Sequence, residues 1–325
     1  MKAGPLLRGC FAFALVSFVA VARSGADAAE AVQPDPKPIG VIGDPGGTGQ
    51  WPAIAEAVAS LRTHTLYHPA EMPDQKLPLV VWGNGACVDN GLRYAAFLRE
   101  IASHGFFVVS LGYPREEGGE RREPAARPPA ATPAPVPNSL PPAQTHASQF
   151  FDAIKWADAE TNREGGPFFG KIDTSRIAVM GHSCGGLQAI RVSADPRVST
   201  SLIMNSGVFN GAPPAGIEEL NVGKDVLAKF HAPVAYINGG PTDIAFKNSV
   251  DDVSRIHQVP VFFAYNDVGH GGTYMQANGG PYGQIATKWL EWQLKSDREA
   301  GKMFVGSDCG YCTDKGWTVK EFIKK

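Results

Sequence analysis

Neither sign of charge predominates in this chain of 325 residues: Lys and Arg total 30 against 32 for Asp and Glu, a formal net charge of −2. Without a basic excess there is little to neutralise a phosphate backbone, which argues against nucleic acid as a partner. Long apolar runs are missing too. The run over residues 10–22 has 13 residues, whereas a bilayer span needs about 20, so no membrane span is expected. No internal repeat is visible. Charged residues reach only 19% against 43% hydrophobic, which is a globular balance rather than a disordered one. Cysteine is sparse and odd in number, at five. Glycine and proline are plentiful, at 37 and 26, and predict many turns.

The first 28 residues read as a secretory signal peptide. Lys2 and Arg8 precede the apolar run, and Ala26-Asp27-Ala28 supplies a small-x-small cleavage pattern. Cleavage there removes Cys10 and leaves Cys87, Cys184, Cys309 and Cys312. An even number in an oxidising compartment allows two disulfides, and a secreted or periplasmic location is expected. Residues 29–325 then form one domain, in which 301–325 is a cysteine-containing tail.

Short apolar runs at 64–68, 77–82, 106–111, 176–181, 198–205, 233–238 and 260–265 predict strands. They lack clean alternation, as expected of a sheet covered on both faces. Segments at 91–103, 147–162, 185–192, 216–229, 246–257 and 284–296 predict helices between them. Such alternation implies an α/β fold with a mostly parallel sheet between helical layers. One stretch breaks the pattern: residues 114–142 carry nine prolines in 29 positions and a knot of charges. That composition cannot bury a core and predicts a long loop on the domain.

Gly181-His182-Ser183-Cys184-Gly185 places G-x-S-x-G between a strand and a helix. This is the setting of a nucleophile elbow, where glycines flank a serine held on a turn too tight for neighbouring Cβ atoms. A serine alcohol is a weak nucleophile until a base takes its proton and an acid orients that base. Acid and base follow such a serine in chain order, each after a strand. His270, in a glycine-bounded loop beyond the 260–265 strand, is the expected base. Asp243, in the turn after the 233–238 strand, is the expected acid, ahead of Asp267, Asp251 and Asp252. The tetrahedral oxyanion needs two N–H donors. Cys184, next to the nucleophile, supplies one. The loop Gly83-Asn84-Gly85-Ala86-Cys87 supplies the other, for which Asn84 is preferred and Gly85 remains open. Trp82, Tyr113, His182 and Tyr274 flank this constellation and are candidates to line a substrate pocket. A bridge from Cys87 to Cys184 would pin the donors if both loops meet at one site. Cys309-Gly-Tyr-Cys312 has redox-motif spacing, but it lies in the tail with no core expected around it. A structural clip is the preferred reading there, since zinc would need two further ligands.

Gly83-Asn84-Gly85, Gly181–Gly185, Asp243 and His270, in that order, resemble the α/β-hydrolase superfamily. Within it the chain looks most similar to the dienelactone-hydrolase, chlorophyllase-like and polyester-depolymerase-like esterases, over about residues 60–300. The resemblance implies a three-layer α/β-hydrolase fold and a Ser-Asp-His triad acting on a small-molecule or polymeric ester, with no cofactor and no metal. Dienelactone hydrolases proper use a cysteine nucleophile, so Ser183 implies serine-esterase chemistry instead. Thioesterase, peptidase and acyltransferase reactions use the same machinery. A non-catalytic exported binding protein on the hydrolase scaffold is the alternative from another class.

Overall fold

The computed structural model of the chain describes Met1, residues 40–115 and residues 142–323. Apart from Met1, the expected signal peptide lies outside the described residues, as does nearly all of the proline-rich 114–142 segment. From residue 40 on, the described residues belong to one compact unit.

Ten strands form one sheet among the described residues. They are β1 (Gly40–Gly46), β2 (Ala53–Ala57), β3 (His64–Pro69), β4 (Leu77–Gly83), β5 (Phe107–Leu111), β6 (Ile172–His182), β7 (Val198–Met204), β8 (Val234–Asn238), β9 (Val261–Tyr265) and β10 (Thr318–Glu321). The helices are α1 (Ala95–Ser103), α2 (Ser148–Asn162), α3 (Cys184–Val192), α4 (Phe246–Arg255), α5 (Gly280–Lys295) and the short α6 (Arg298–Gly301) and α7 (Gly310–Thr313). Across the sheet the order is β1-β2-β3-β5-β4-β6-β7-β8-β9-β10. Neighbours from β5 to β9 pair in parallel, while β1–β2, β2–β3, β3–β5 and β9–β10 are antiparallel. The mostly parallel α/β architecture is therefore as expected.

The absence of alternation in the central strands has a simple cause. Leu79 and Val81 face one apolar layer with Ile177, Val179, α2 and α3; Val80 and Trp82 face the other with Ala178, Met180, α1 and α5. Successive side chains point to opposite faces, and both faces are covered, so every position can be apolar.

Three expectations need correction. The segment 216–229 is not a helix but two short 3-10 segments, Glu218–Leu220 and Lys224–Lys229. Asn221-Val222-Gly223 lies between them, a run of poor helix formers, and buried Ile217, Leu220 and Leu227 anchor the segment separately. Strands β1, β2 and β10 escaped the sequence reading. β1 contains three glycines besides Asp44 and Pro45, and β2 is mostly alanine, so neither carries the β-branched signature. The tail is not a loose end either: β10 extends the sheet beside β9, and Cys309 is buried among Phe304, Tyr311 and Trp317.

An ionic cluster ties α1 to α5. His104 Nδ1 lies 3.1 Å from Glu291 Oε1, and Nε2 lies 3.2 Å from Glu100 Oε1. Burial opposes the His104 charge, but the two carboxylates outweigh it and raise the pKa to about 9. A folded pKa above the unfolded value of 6.5 means stabilisation that is complete below pH 6.5 and lost as pH rises through about 9. Lys295, pushed down to about 8 by burial, titrates nearby with the opposite sign, so the diagnostic is a difference between proteins. His104→Gln should cost more stability at pH 6 than at pH 10, by roughly 1–3 kcal/mol, in urea unfolding. Equal costs at the two pH values would refute the assignment.

Candidate active site

The parallel strands β4, β6, β7, β8 and β9 all deliver their carboxyl ends to one edge of the sheet, where ligands bind in open α/β sheets. β6 runs into Ser183 and then directly into α3. Ser183 adopts φ 53° and ψ −117°, a strained backbone for a residue with a side chain. Close packing holds it there. A Cβ on Gly181 would meet the Gly185 carbonyl oxygen at 2.3 Å, and one on Gly185 would meet the Gly83 carbonyl at 2.1 Å. Backbone cannot yield as a flexible side chain can, so the start of α3 can sit on β4 and β6 only with glycine at both places. The Ser183 N–H donates to the Met204 carbonyl at 3.0 Å, which fixes the turn against β7.

Ser183 Oγ lies 2.9 Å from His270 Nε2, and His270 Nδ1 lies 2.6 Å from Asp243 Oδ1. The three side chains come from the loops after β6, β9 and β8 and form one continuous chain. Ser183 and His270 are partly exposed, whereas Asp243 is buried. Burial raises the Asp243 carboxyl, but hydrogen bonds from His270, the Ala245 N–H and Asn205 outweigh it and hold the group below the usual carboxylate range. The Gly239 N–H also donates to Oδ2, at 3.1 Å. With this many donors aimed at it, Asp243 stays charged and its Oδ1 accepts the His270 Nδ1 proton. The loops press together closely: a Cβ on Gly239 would lie 1.9 Å from the Gly269 carbonyl oxygen.

The rival carboxylates are elsewhere. Asp267 is exposed beside Gly240. Asp251 pairs with Arg255 and Lys224, and Asp252 with Lys224, the Val208 N–H and Tyr236.

The loop after β4 turns through left-handed backbone at Ala86 (φ 54°) and Cys87 (φ 49°). Cys87 is disulfide-bonded to Cys184, with Cα atoms 5.3 Å apart and 97 residues of separation. A bridge closing a loop of that length contributes roughly 4 kcal/mol on the chain-entropy account, and it ties this loop to the residue after Ser183. Cys309 and Cys312 form a second bridge. The Asn84 side chain cannot serve as an oxyanion donor. Its amide nitrogen faces the carbonyls of Val88, Asn90 and Leu111, and its oxygen accepts from Trp82 Nε1. The Gly85 N–H donates to Tyr94 Oη. Among the described residues the N–H groups of Asn84, Ala86 and Cys184 meet no carbonyl acceptor, so Ala86 joins Asn84 as a candidate that the sequence reading passed over.

The expected pocket residues need correction. Trp82 and Tyr274 are 0% and 1% exposed, inside an aromatic cluster with Tyr94 and Phe97. His182 is buried too, with both ring nitrogens hydrogen-bonded. These three sit beneath the site rather than lining it, and only Tyr113 is partly exposed. A groove of about 900 Å³ between α4 and the β9–β10 edge contains none of the triad residues.

Asn205, just past β7, was missed. Its Nδ2 donates to Asp243 Oδ2 at 2.8 Å, its Oδ1 accepts from Tyr274 Oη at 2.6 Å, and its backbone is left-handed at φ 43°. The available signal was a polar residue directly after an apolar strand. Compared with known proteins, the chain matches no family model and no curated protein.

Proposed function

We propose that this protein is an exported serine hydrolase of the α/β-hydrolase superfamily that cleaves carboxylic esters through an acyl-enzyme. The observation that carries the reading is the unbroken chain of 2.9 Å and 2.6 Å contacts from Ser183 through His270 to Asp243, at the carboxyl edge of a mostly parallel sheet. Ser183 Oγ attacks the ester carbonyl as its proton passes to His270 Nε2. Asp243 holds the ring with Nδ1 protonated and stabilises the imidazolium. Backbone N–H groups of Cys184 and of Asn84 or Ala86 take the oxyanion charge. His270 then protonates the departing alkoxide, and the C–O bond breaks to leave acyl-Ser183. Water, deprotonated by the same nitrogen, attacks the acyl carbon and releases the acid. Two disulfides support export, since such bonds persist in oxidising compartments. The resemblance to dienelactone-hydrolase, chlorophyllase-like and polyester-depolymerase-like enzymes leaves the substrate a small or polymeric ester.

The deciding experiment combines a panel of esters of graded acyl length with a serine-directed phosphonate and peptide mapping. Turnover together with a single adduct on Ser183 is expected. No turnover and no adduct would sink the reading.

A further inference from the structure

The hydrolysis scheme makes no use of a second hydrogen-bond chain beside the triad. The Gly85 N–H donates to Tyr94 Oη at 3.2 Å, Tyr94 Oη lies 2.7 Å from His182 Nδ1, and His182 Nε2 lies 2.9 Å from the His270 carbonyl oxygen. A carbonyl oxygen only accepts, so His182 carries its proton on Nε2. Nδ1 is then an acceptor, the Tyr94 hydroxyl is its donor, and the hydroxyl oxygen accepts from Gly85. One carbonyl therefore sets the direction of every link.

The links are also dry and tight. Tyr94 is 2% exposed and His182 8%, so water does not readily replace either partner. A Cβ on Gly85 would come within 2.4 Å of His182 Nδ1 and 2.6 Å of Tyr94 Oη. Burial, reinforced by neighbouring His270, pushes His182 down to about 3, which keeps the ring neutral and the directions fixed. The ring centroids of His182 and His270 are 5.1 Å apart, so a shift of one ring is felt by the other.

We propose that Tyr94 and His182 are positioning residues, whose chain ties the oxyanion loop to the loop that carries the base. This rests on the serine-hydrolase reading above. The Cys87–Cys184 bridge joins the oxyanion loop to the nucleophile turn, and the Tyr94–His182 chain joins it to His270. The donors, the nucleophile and the base are thereby held in one register. Neither Tyr94 nor His182 touches the reacting atoms; both act on where other groups point. Loss of the chain mis-aims oxyanion donors and base at the transition state while leaving ground-state binding almost intact.

The test measures kcat and KM on a p-nitrophenyl ester for wild type, Tyr94→Phe, His182→Leu, the double variant and His182→Gln. Rates are expressed per active site titrated at Ser183 with a phosphonate, so that unfolded protein does not count. Tyr94→Phe and His182→Leu should each lower kcat by roughly 10–100-fold, with KM moved less than about threefold. Because they break one chain, the double variant should lose no more than about threefold beyond the worse single one. His182→Gln, whose neutral amide can donate to the His270 carbonyl and accept from Tyr94, should return to within about fivefold of wild type. A purely structural role would lower the titrated fraction and leave kcat per site unchanged. Unchanged kcat per site in both single variants, with wild type active and titrated at Ser183, overturns the positioning role alone. Failure of wild type to label at Ser183 overturns the hydrolase reading and the positioning role together.

Discussion

Replacing Ser183 with alanine should lower kcat for ester hydrolysis by on the order of 10⁴–10⁶-fold, with the folded state retained. The methyl cannot form the acyl-enzyme, so His270 has no alcohol to deprotonate. Binding and the oxyanion donors remain and supply whatever residual rate persists. Folding should survive because no packing contact depends on Oγ: its hydrogen bond is to His270 Nε2, while the turn is held by backbone and by glycine contacts. Removing Oγ leaves the strained φ of 53° in place, so no gain of several kcal/mol in stability is expected. The measurement is kcat on the best ester of the panel, with circular dichroism and thermal unfolding as controls. Activity within tenfold of wild type would remove Ser183 from the mechanism.

Asp243→Asn should be nearly as damaging, at about 10⁴-fold in kcat, although the side chain keeps its shape. Asp243 Oδ1 accepts from His270 Nδ1 at 2.6 Å and so places the His270 lone pair on Nε2, facing Ser183. An asparagine whose amide nitrogen faces Nδ1 donates there instead, and Nε2 then carries the proton and cannot act as the base. The opposite flip is opposed by two donors at Oδ2, the Gly239 N–H and Asn205 Nδ2, against the single Ala245 N–H at Oδ1. Asp267→Asn provides the contrast. It changes an exposed group three positions from the same histidine and should alter kcat by less than about threefold. A crippled Asp267→Asn beside an active Asp243→Asn would transfer the acid's role to Asp267.

The legible part of the site was the part marked by local chain features. Ser183, Asp243 and His270 each follow closely on an apolar strand, in turns marked by glycine, and the order of strands along the chain gave their order of roles. Tyr94 and Asn205 carry no such mark. Tyr94 directly precedes α1 in the chain and reaches the site only because α1 packs against the face of the sheet that bears Trp82, where the Tyr274 ring also packs. His182, Trp82 and Tyr274 were correctly placed near the site in the chain but wrongly assigned to its surface.

The amino-acid pattern by itself determined that the chain builds a covered, mostly parallel sheet and that Ser183, Asp243 and His270 each sit in a turn after one of its strands. Those depend on strand hydrophobicity and turn glycines, which are properties of a few adjacent residues. Only the tertiary structure decided which aromatic rings are buried, how the small or Gly-rich strands β1 and β2 and the tail strand β10 complete the sheet, and which side chains orient the triad. An unalternated apolar run does not reveal which residue faces which helix. Val81 and Trp82 are neighbours in the chain, yet they lie in opposite layers of the core. The partners of His182 and Asp243 come from elements 88 and 38 residues away, at Tyr94 and Asn205. Contacts of that range exist only once the sheet has brought the strand ends together.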